Sequence, residues 1–392
     1  MYSKNKLFLS INISLIIYFF FSLIFLFEKS KIASDFSISE MLINYNGGFT
    51  RRGLIGQIFF NIHENFNIKI NNIIFFSQIF FCALFSLFLI LIFKKIKNQL
   101  TILDLIILFL PTLLFYPLYE LEALGRKEIL IFISFSFLIL QGNRSNNLVT
   151  IIYSFLILPV IILTWEMIML YLQFYFVVFY YQYKVKTFTE SFKIFLIFVP
   201  SLITFIFIWL NPLDIEGHKI MCETINCYGA SSMLVSATIY FDTWWIHDKA
   251  NFLNYLRFFV FFIISILPFI IFSKYIIFRE KKIYIFKYFN SFFYFTLFLF
   301  FPTILIFLYG LDWGRWLNIF ITLNYLLFLF FRISKIILIK EIFFFKKIKT
   351  LKLFFLIFFY CFSWNPKILL WEDTGSLPII RTLIKSLKIL IS

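Results

Sequence analysis

Long apolar stretches separated by short polar segments recur along the whole 392-residue chain. A stretch of about 18 apolar residues or more can cross a hydrocarbon core of ~30 Å as a helix. The stretch 148–183 is too long for one crossing at about 1.5 Å per residue, so we place a hairpin tip at Trp165-Glu166. The pattern predicts an all-α, polytopic membrane protein with about eleven spans at 7–27, 72–93, 102–119, 128–142, 148–164, 167–183, 194–211, 254–274, 290–309, 316–332 and 352–364.

The composition agrees with this class of protein. Hydrophobic residues make up 62% of the chain and charged residues 14%, whereas soluble globular chains have about 25% charged residues. The net charge of +16 raises the question of a nucleic-acid partner. Cytoplasmic Lys and Arg of a multi-span protein account for it, so we predict no nucleic-acid binding.

The distribution of charge predicts the topology. With the N-terminus inside, the inner loops and their boundaries hold 21 Lys and Arg and four acidic residues. The outer side then holds 15 basic and 16 acidic residues. The short apolar segment 129–140 must cross for this to hold. If it did not, the basic loops 184–193 and 275–289 would face outward, against the positive-inside rule.

This topology defines the predicted organisation of the chain. Residues 1–392 form one transmembrane domain with a first outer loop at 28–71 and a large outer loop at 211–253. Segment 377–391 has basic residues at helical spacing and is predicted to be an interfacial amphipathic helix on the outer surface. If it crossed instead, the C-terminus would be cytoplasmic.

Cys222 and Cys227 share the large outer loop with four residues between them. On an oxidising face such a pair favours a disulfide. Unpaired thiols are one alternative. A metal site that includes His218, Asp214 or Glu216 is another. We predict a disulfide and no metal.

The first candidate motif lies in the first outer loop. Arg51 and Arg52 are bracketed by glycines, and two carboxylates, Asp35 and Glu40, precede them. Guanidinium groups form permanently charged, bidentate contacts with phosphate oxygens, and glycines let backbone N–H groups approach the same anion. The alternative is an interfacial turn whose arginines contact lipid headgroups.

The second motif joins the outer ends of two consecutive predicted spans. It spans residues 119–128 and contains three carboxylates, Glu120, Glu122 and Glu128, and two cations, Arg126 and Lys127. In a helix, Glu122 would form an ordinary ion pair one turn before Arg126. The functional interpretation is that Arg126 or Lys127 holds a substrate phosphate while a carboxylate acts as a base.

The third motif is Asp-Trp-Gly-Arg-Trp at 312–316. An aromatic belt with a local ion pair would explain its tryptophans. Asp312 and Arg315 also stand at the edge of an apolar run, where ionisable groups are costly and usually face a cavity or a partner. Glu166, at the predicted hairpin tip, is a further candidate carboxylate.

These motifs all belong to the predicted outer surface, and together they fit group transfer from a polyprenyl diphosphate. Arginines would stabilise the leaving diphosphate, and a carboxylate would take the proton of the attacking hydroxyl. No Walker loop, Rossmann fingerprint, His-Glu-x-x-His motif or nucleophile elbow occurs. We therefore predict neither a cofactor nor a metal. The candidate catalytic carboxylates are Asp35, Glu40, Glu122 and Asp312.

The polytopic layout, the chain length, Arg-Arg-Gly at 51–53 and Asp-Trp-Gly-Arg-Trp at 312–316 resemble bacterial O-antigen or capsule repeat-unit polymerases. The resemblance implies a multi-pass glycosyltransferase of the bacterial inner membrane that joins undecaprenyl-diphosphate-linked oligosaccharides at the periplasmic face. It also implies membrane lipid and a possible chain-length regulator protein as partners. The lipid-linked-sugar glycosyltransferases place a carboxylate in the first outer loop, where this chain offers Asp35 or Glu40. The resemblance implies diphosphate binding by Arg51, Arg52, Arg126 and Arg315.

Three other functions remain open from the sequence. A transporter or flippase of lipid-linked oligosaccharide should carry polar groups and broken helices at mid-membrane. A sugar-modifying transferase would share the topology. A non-catalytic assembly subunit is the third possibility.

Overall fold

The computed structural model describes residues 4–32, 36–142, 145–225, 250–273, 275–278, 289, 291–339, 350–372 and 375–391. The regular secondary structure of these segments is almost entirely helical, as the sequence predicts. The first ten α-helices are α1 (Lys4–Ser30), α2 (Phe36–Leu42), α3 (Gly53–Phe66), α4 (Ile70–Lys95), α5 (Ile102–Leu108), α6 (Tyr116–Tyr119), α7 (Ile129–Gln141), α8 (Asn147–Ile152), α9 (Leu158–Thr164) and α10 (Leu172–Gln182).

The second half of the chain continues the helical architecture. Its helices are α11 (Phe188–Leu196), α12 (Val199–Leu210), α13 (Ile215–Ile225), α14 (Phe252–Ile271), α15 (Phe292–Tyr309), α16 (Trp313–Ile333), α17 (Thr350–Phe362) and α18 (Pro378–Ile391). Two short antiparallel strand pairs are described, and they join β1 (Ile276–Phe278) to β2 (Ile337–Ile339) and β3 (Trp364–Asn365) to β4 (Gly375–Ser376). A π-helical turn (Tyr153–Ile157) links α8 to α9, and 3₁₀ turns occur at Lys97–Gln99, Leu121–Ala123 and Glu166–Tyr171.

Five helical segments of the described residues are long and apolar enough to cross a membrane: α1, α4, the continuous 147–164 segment, α14 and α16. Helices α11 and α12 form a sixth if taken together, although they meet at an angle of 49°. Helices α7 and α15 are apolar but shorter. The structure thus supports a multi-pass helical protein with five or six spans of crossing length. All eleven predicted spans contain helix, but several are short or broken.

Helix α16 is the centre of the fold. In its most apolar stretch 94% of the residues are buried, compared with 33–39% in the other four crossing-length segments. It packs against α7, α10, α14 and α15. Five of its polar side chains recur at intervals of three, four or seven residues and so lie along one face: Arg315, Asn318, Thr322, Tyr325 and Arg332.

This polar face holds a segment that the sequence predicted as one span. Residues 102–119 form α5, then turns around Pro111, then α6. Proline has no N–H to donate, and a broken helix leaves carbonyl groups that a membrane interior cannot hydrate. The Asn318 Nδ2 group donates to the carbonyls of Thr112 (3.1 Å) and Leu113 (2.8 Å). The Asn318 side chain of α16 therefore pairs two of the carbonyl groups at the break.

The other end of α16 is held by a buried ion pair. The Arg332 guanidinium contacts the Asp104 carboxylate and the Gln99 carbonyl, and the Tyr325 hydroxyl donates to the Asp104 carbonyl at 3.2 Å. Asp104 also caps α5 by accepting from the Thr101 N–H at 2.7 Å. Arg315 and Arg332 are 17 residues apart in α16, or about 26 Å along the helix.

The segments that connect the helices contact one another in two groups, one at each end of α16. At the Arg332 end, Lys4 donates to Asn98, Lys95 to Leu140 and β1 pairs with β2. In the predicted topology Lys95, Asn98 and both strands lie in inner loops, Lys4 lies in the inner N-terminus, and Leu140 lies at the inner end of the span 128–142. At the Arg315 end lie the loops assigned to the outer side, which the next section describes.

Segment 378–391 is helical, as expected for an amphipathic helix. Its buried side chains include Thr382 and Ser386, and Thr382 donates to the Leu118 carbonyl at 3.3 Å. The helix packs against α1 and α6. Its exposed apolar side chains form a separate face that consists of Ile380, Leu383, Ile384 and Leu387.

Candidate functional site

Charged side chains from the three sequence motifs and from the predicted hairpin tip at Glu166 meet at one end of the helices. We refer to them as the charge cluster. They come from α2, the turn before α3, the turn before α7, the 3₁₀ turn after α9 and the start of α16. The members are Glu40, Arg51, Arg52, Arg126, Lys127, Glu128, Glu166, Asp312 and Arg315.

Arg52 links the first motif to the hairpin tip. Its Nε and Nη2 atoms donate to the Glu166 carboxylate at 2.9–3.1 Å, and its Nη1 donates to Glu40 Oε1 at 3.2 Å. The backbone of Arg52 is left-handed, with φ of 64°, a conformation that costs a non-glycine residue about 1–3 kcal/mol. The next residue must be small, because a Cβ on Gly53 would collide with the Tyr45 ring. The hydrogen bonds of the Arg52 side chain and the close packing of Gly53 therefore hold the Arg52 backbone in this left-handed conformation.

The second motif contacts the first through Lys127 and Arg126. The Lys127 Nζ donates to the Arg52 carbonyl at 2.7 Å. Arg126 places Nη1 3.8 Å from Glu40 Oε2 and 3.7 Å from Asp312 Oδ2. Arg126 thus bridges carboxylates from the first and third motifs.

The third motif begins α16. Asp312 Oδ2 accepts from Arg315 Nη1 at 2.6 Å, and Arg315 Nε lies 2.5 Å from Glu128 Oε1. Gly314 packs against the chain after α17, where a Cβ would collide with the Lys367 carbonyl. The start of α16 is therefore fixed between the second motif and the C-terminal segment.

Burial shifts the protonation of several cluster members. The pKa of Glu128, which precedes the first residue of α7, is raised to about 8 by burial and, to a smaller extent, by the nearby Glu40 carboxylate. Burial also raises the pKa of Asp312 and lowers the pKa of Lys127 to about 8. The pKa of Arg126 is raised because neighbouring carboxylates, Glu40 first, outweigh its burial. The cluster can therefore both attract an anion and exchange a proton near neutral pH.

The accessible members of the cluster are few. The Asp312 side chain is 25% exposed, Arg51 17% and Arg52 19%. The side chains of the remaining carboxylates and of Arg126 and Arg315 are at most 7% exposed. A substrate can therefore reach Asp312, Arg51 and Arg52, while the buried members hold these three in position.

A second polar group borders the cluster. The Glu120 carboxylate accepts from Asn365 at 2.6 Å, from Lys367 at 3.2 Å and from Arg381 at 3.2 Å. Burial raises the pKa of Glu120, against the effect of Lys367. The Tyr116 hydroxyl is buried close to Gly314, at the start of α16. It has no hydrogen-bond partner. This group anchors α18 and was not predicted, since Asn365, Lys367 and Arg381 are spread over a polar C-terminal segment without a motif.

A small cavity lies below the cluster. It measures about 40 Å³ and is lined by Arg126, Glu128, Arg315, Asn318 and Thr322 together with apolar side chains. The Thr322 hydroxyl is buried there without a hydrogen-bond partner. The space suits a water molecule or two, which would extend the polar face of α16 below the cluster.

The other predicted site residues lie elsewhere. Glu122 is exposed, and its backbone carbonyl rather than its carboxylate accepts from Arg126 Nε at 2.6 Å. The reason is local: 121–123 is a 3₁₀ turn, so the expected α-helical pair one turn apart does not form. Asp35 and Cys227 lie outside the described residues. Cys222 is disulfide-bonded, whereas Cys82 and Cys361 are free.

Lys127 and Glu166 were named from the sequence as further candidates, and Glu128 only as a carboxylate of the second motif; the structure places all three in the cluster. Lys127 and Glu128 directly follow Arg126, so their place beside a predicted site residue was a usable signal. Glu166 stands alone between apolar runs, and its pairing with Arg52, 114 residues away, has no local signature. Within the described residues, no group of three or more His, Cys, Asp and Glu side chains is arranged to hold a metal ion.

Comparison with protein-family models, curated proteins and solved structures finds no match for this chain. Its chemistry must therefore be inferred from the cluster. Two accessible arginines beside an accessible carboxylate can bind a phosphate-like anion and remove a proton from a nucleophile.

Proposed function

We propose that the protein is a membrane glycosyltransferase that polymerises undecaprenyl-diphosphate-linked oligosaccharide repeat units in O-antigen or capsule biosynthesis. The observation that supports this function most is the convergence of three arginine-bearing loops in one cluster. That cluster contains five cations and four carboxylates. A surplus of positive charge in a partly water-excluded site favours a dianionic leaving group over a neutral one.

The accessible residues receive distinct roles in this reaction. Asp312 takes the proton of the acceptor sugar hydroxyl as its oxygen forms a bond to the anomeric carbon of the donor. The bond between that carbon and the diphosphate oxygen breaks, and the diphosphate departs with the electron pair. Arg51 and Arg52 bind the departing diphosphate. Arg126, Arg315 and Glu166 are positioning residues, because their side chains are buried. Arg126 and Arg315 contact Asp312, and Glu166 contacts Arg52.

The proposal includes the finer topology: eleven spans, a cytoplasmic N-terminus and a place in the bacterial inner membrane. The loop contacts support it, since loops assigned to one side contact loops assigned to the same side. A reporter fused after Asn146 is expected to be cytoplasmic, and one fused after Ser231, which lies outside the described residues, periplasmic. A reversed pair of signals would refute this orientation.

Deletion of the gene in its host tests the function directly. The surface polysaccharide is then separated on a gel. Loss of the ladder to a single core-plus-one-unit band supports a polymerase, because single units are still exported and attached. An unchanged ladder refutes the proposal.

A flippase for the same lipid-linked oligosaccharide is the second candidate. One observation favours it: the 102–119 segment is broken inside the helical core beside the polar face of α16. Broken helices at mid-membrane are typical of transporters. The same gel separates the two functions, since loss of a flippase leaves the core without any attached unit.

A further inference from the structure

An apolar groove opens next to the charge cluster, between α3, α4, α7 and the 147–164 helical segment. Its volume is about 390 Å³, within the range typical of ligand sites. Its walls are mostly apolar side chains of these four segments, among them Leu54, Ile58, Phe88, Leu130, Phe137 and Val160.

The few polar atoms in these walls are satisfied within the protein. The Ser134 hydroxyl donates to the Ile131 carbonyl at 3.1 Å, Thr164 donates to Val160 at 2.9 Å, and Tyr153 donates to the Ser134 carbonyl at 2.6 Å. The hydroxyl donors of the walls are thus used within the protein, and the other lining side chains are apolar, so the groove offers little to water or a polar ligand. The groove suits a hydrocarbon chain.

One side of the groove is open along its length. Ile58 is 47% exposed, and Phe137 and Val160 are each 39% exposed. A chain can therefore enter laterally from the bilayer rather than through a narrow portal. The π-helical turn Tyr153–Ile157 contributes both of its end residues to the wall, and such turns often occur at functional sites.

One end of the groove lies next to the charge cluster. Leu54 follows Arg52 by two residues, and Thr164 precedes Glu166 by two. These two walls are joined by the hydrogen bonds between Arg52 and Glu166, and the third wall by the bond from Lys127 to the Arg52 carbonyl. From there the α7 wall descends from Leu130 to Phe137, about 10 Å along the helix.

We propose that this groove holds the first part of the isoprenoid chain of the lipid-linked donor, with its diphosphate at Arg51 and Arg52. The assignment rests on the proposed function and deepens it by naming the donor side of the cluster. An apolar cavity of about 150 Å³ holds a six-carbon ring, so the groove accommodates about 15 carbons, or three isoprene units. One chain fits, and the cations at the mouth match a diphosphate rather than a zwitterionic headgroup.

The test is binding of undecaprenyl diphosphate to the purified full-length protein, measured by native mass spectrometry in competition with phosphatidylglycerol. Ile58→Trp and Val160→Trp fill the groove from opposite walls at lipid-exposed positions. Ile17→Trp is the matched control, because Ile17 is 43% exposed on α1 and outside the groove. Displacing two methylenes already corresponds to about a tenfold loss of affinity, so both groove variants should lose at least that factor.

The control should bind as the unsubstituted protein does. Equal affinity in all variants, or displacement of undecaprenyl diphosphate by an equal concentration of phosphatidylglycerol, means that the groove holds bilayer lipid only and overturns the proposal. The gel of the deletion strain separates this failure from failure of the function. A lost ladder with normal binding by the groove variants rejects only the groove, and an unchanged ladder with impaired binding rejects only the polymerase.

Discussion

Replacing Asp312 with asparagine separates the two tasks of the charge cluster. Asparagine keeps the shape of the side chain but accepts no proton, and the change raises the formal charge of the cluster from +1 to +2. Removal of a general base slows the chemical step by about 10²–10⁴-fold. The extra positive charge does not weaken binding of an anion. We therefore expect kcat to fall by that factor while KM stays unchanged or decreases.

Arg51→Ala is the complementary perturbation. It lowers the formal charge of the cluster from +1 to 0 and removes an accessible guanidinium 3.8 Å from Glu166. A hydrogen bond to a charged group contributes about 1.5–3 kcal/mol. We therefore expect weaker binding of the lipid-linked donor by about 10- to 150-fold, seen as a rise in KM.

The assay follows conversion of the isolated lipid-linked repeat unit to longer products by purified variants in lipid nanodiscs. Glu216→Gln is the control, since Glu216 is an exposed carboxylate outside the cluster and should leave both constants unchanged. The Arg315 partner of Asp312 keeps its contact with Glu128, so the fold should survive. Turnover at the unsubstituted rate in Asp312→Asn would refute its role as the base. A change in KM alone in both variants would do the same.

Three further predictions concern the framework around the site. Arg332→Gln should lower the free energy of unfolding, measured by thermal unfolding, by about 3–5 kcal/mol, because it leaves the buried Asp104 without its ion-pair partner. Adding Asp104→Asn should restore most of the lost stability. Asn318→Leu leaves two carbonyls of the broken segment unpaired and should cost about 1–3 kcal/mol in the same measurement. Burial raises the pKa of Glu128 from 4.5 to about 8, so between these pH values the folded protein retains a proton that the unfolded chain releases. The free energy of unfolding should therefore fall as pH rises from 4.5 to about 8. Glu128→Gln should make this fall with pH smaller.

The grouping of site residues was accessible from the sequence because topology alone decides which loops share a surface. Loops 28–71, 120–128 and 310–316 were assigned to one side by charge, and the structure joins them in one cluster. Their pairings were not accessible. Arg52 precedes α3 and Glu166 follows α9, and no local sequence pattern records that these two helix termini meet.

The helical class was also readable, whereas helix continuity was not. The run 102–119 is apolar enough to predict a span, yet it breaks near Pro111. Hydrophobicity reports the environment of a segment, not whether its backbone hydrogen bonds are closed within it. A break is tolerated where a neighbour supplies the missing donors, and here that neighbour is Asn318, more than 200 residues away.

The position of Asn318 connects the framework to the proposed chemistry. Asp312 and Arg315 stand at the start of the same helix, one to two turns before Asn318. Their depth relative to Arg126 is therefore set by how α16 is held against the broken segment, at Asn318 and again at Arg332. A site that begins a buried helix is more rigid than one carried on free loops. This explains how charges that would be costly at membrane depth can be kept in position: the polar face of one central helix fixes the backbone on which they stand.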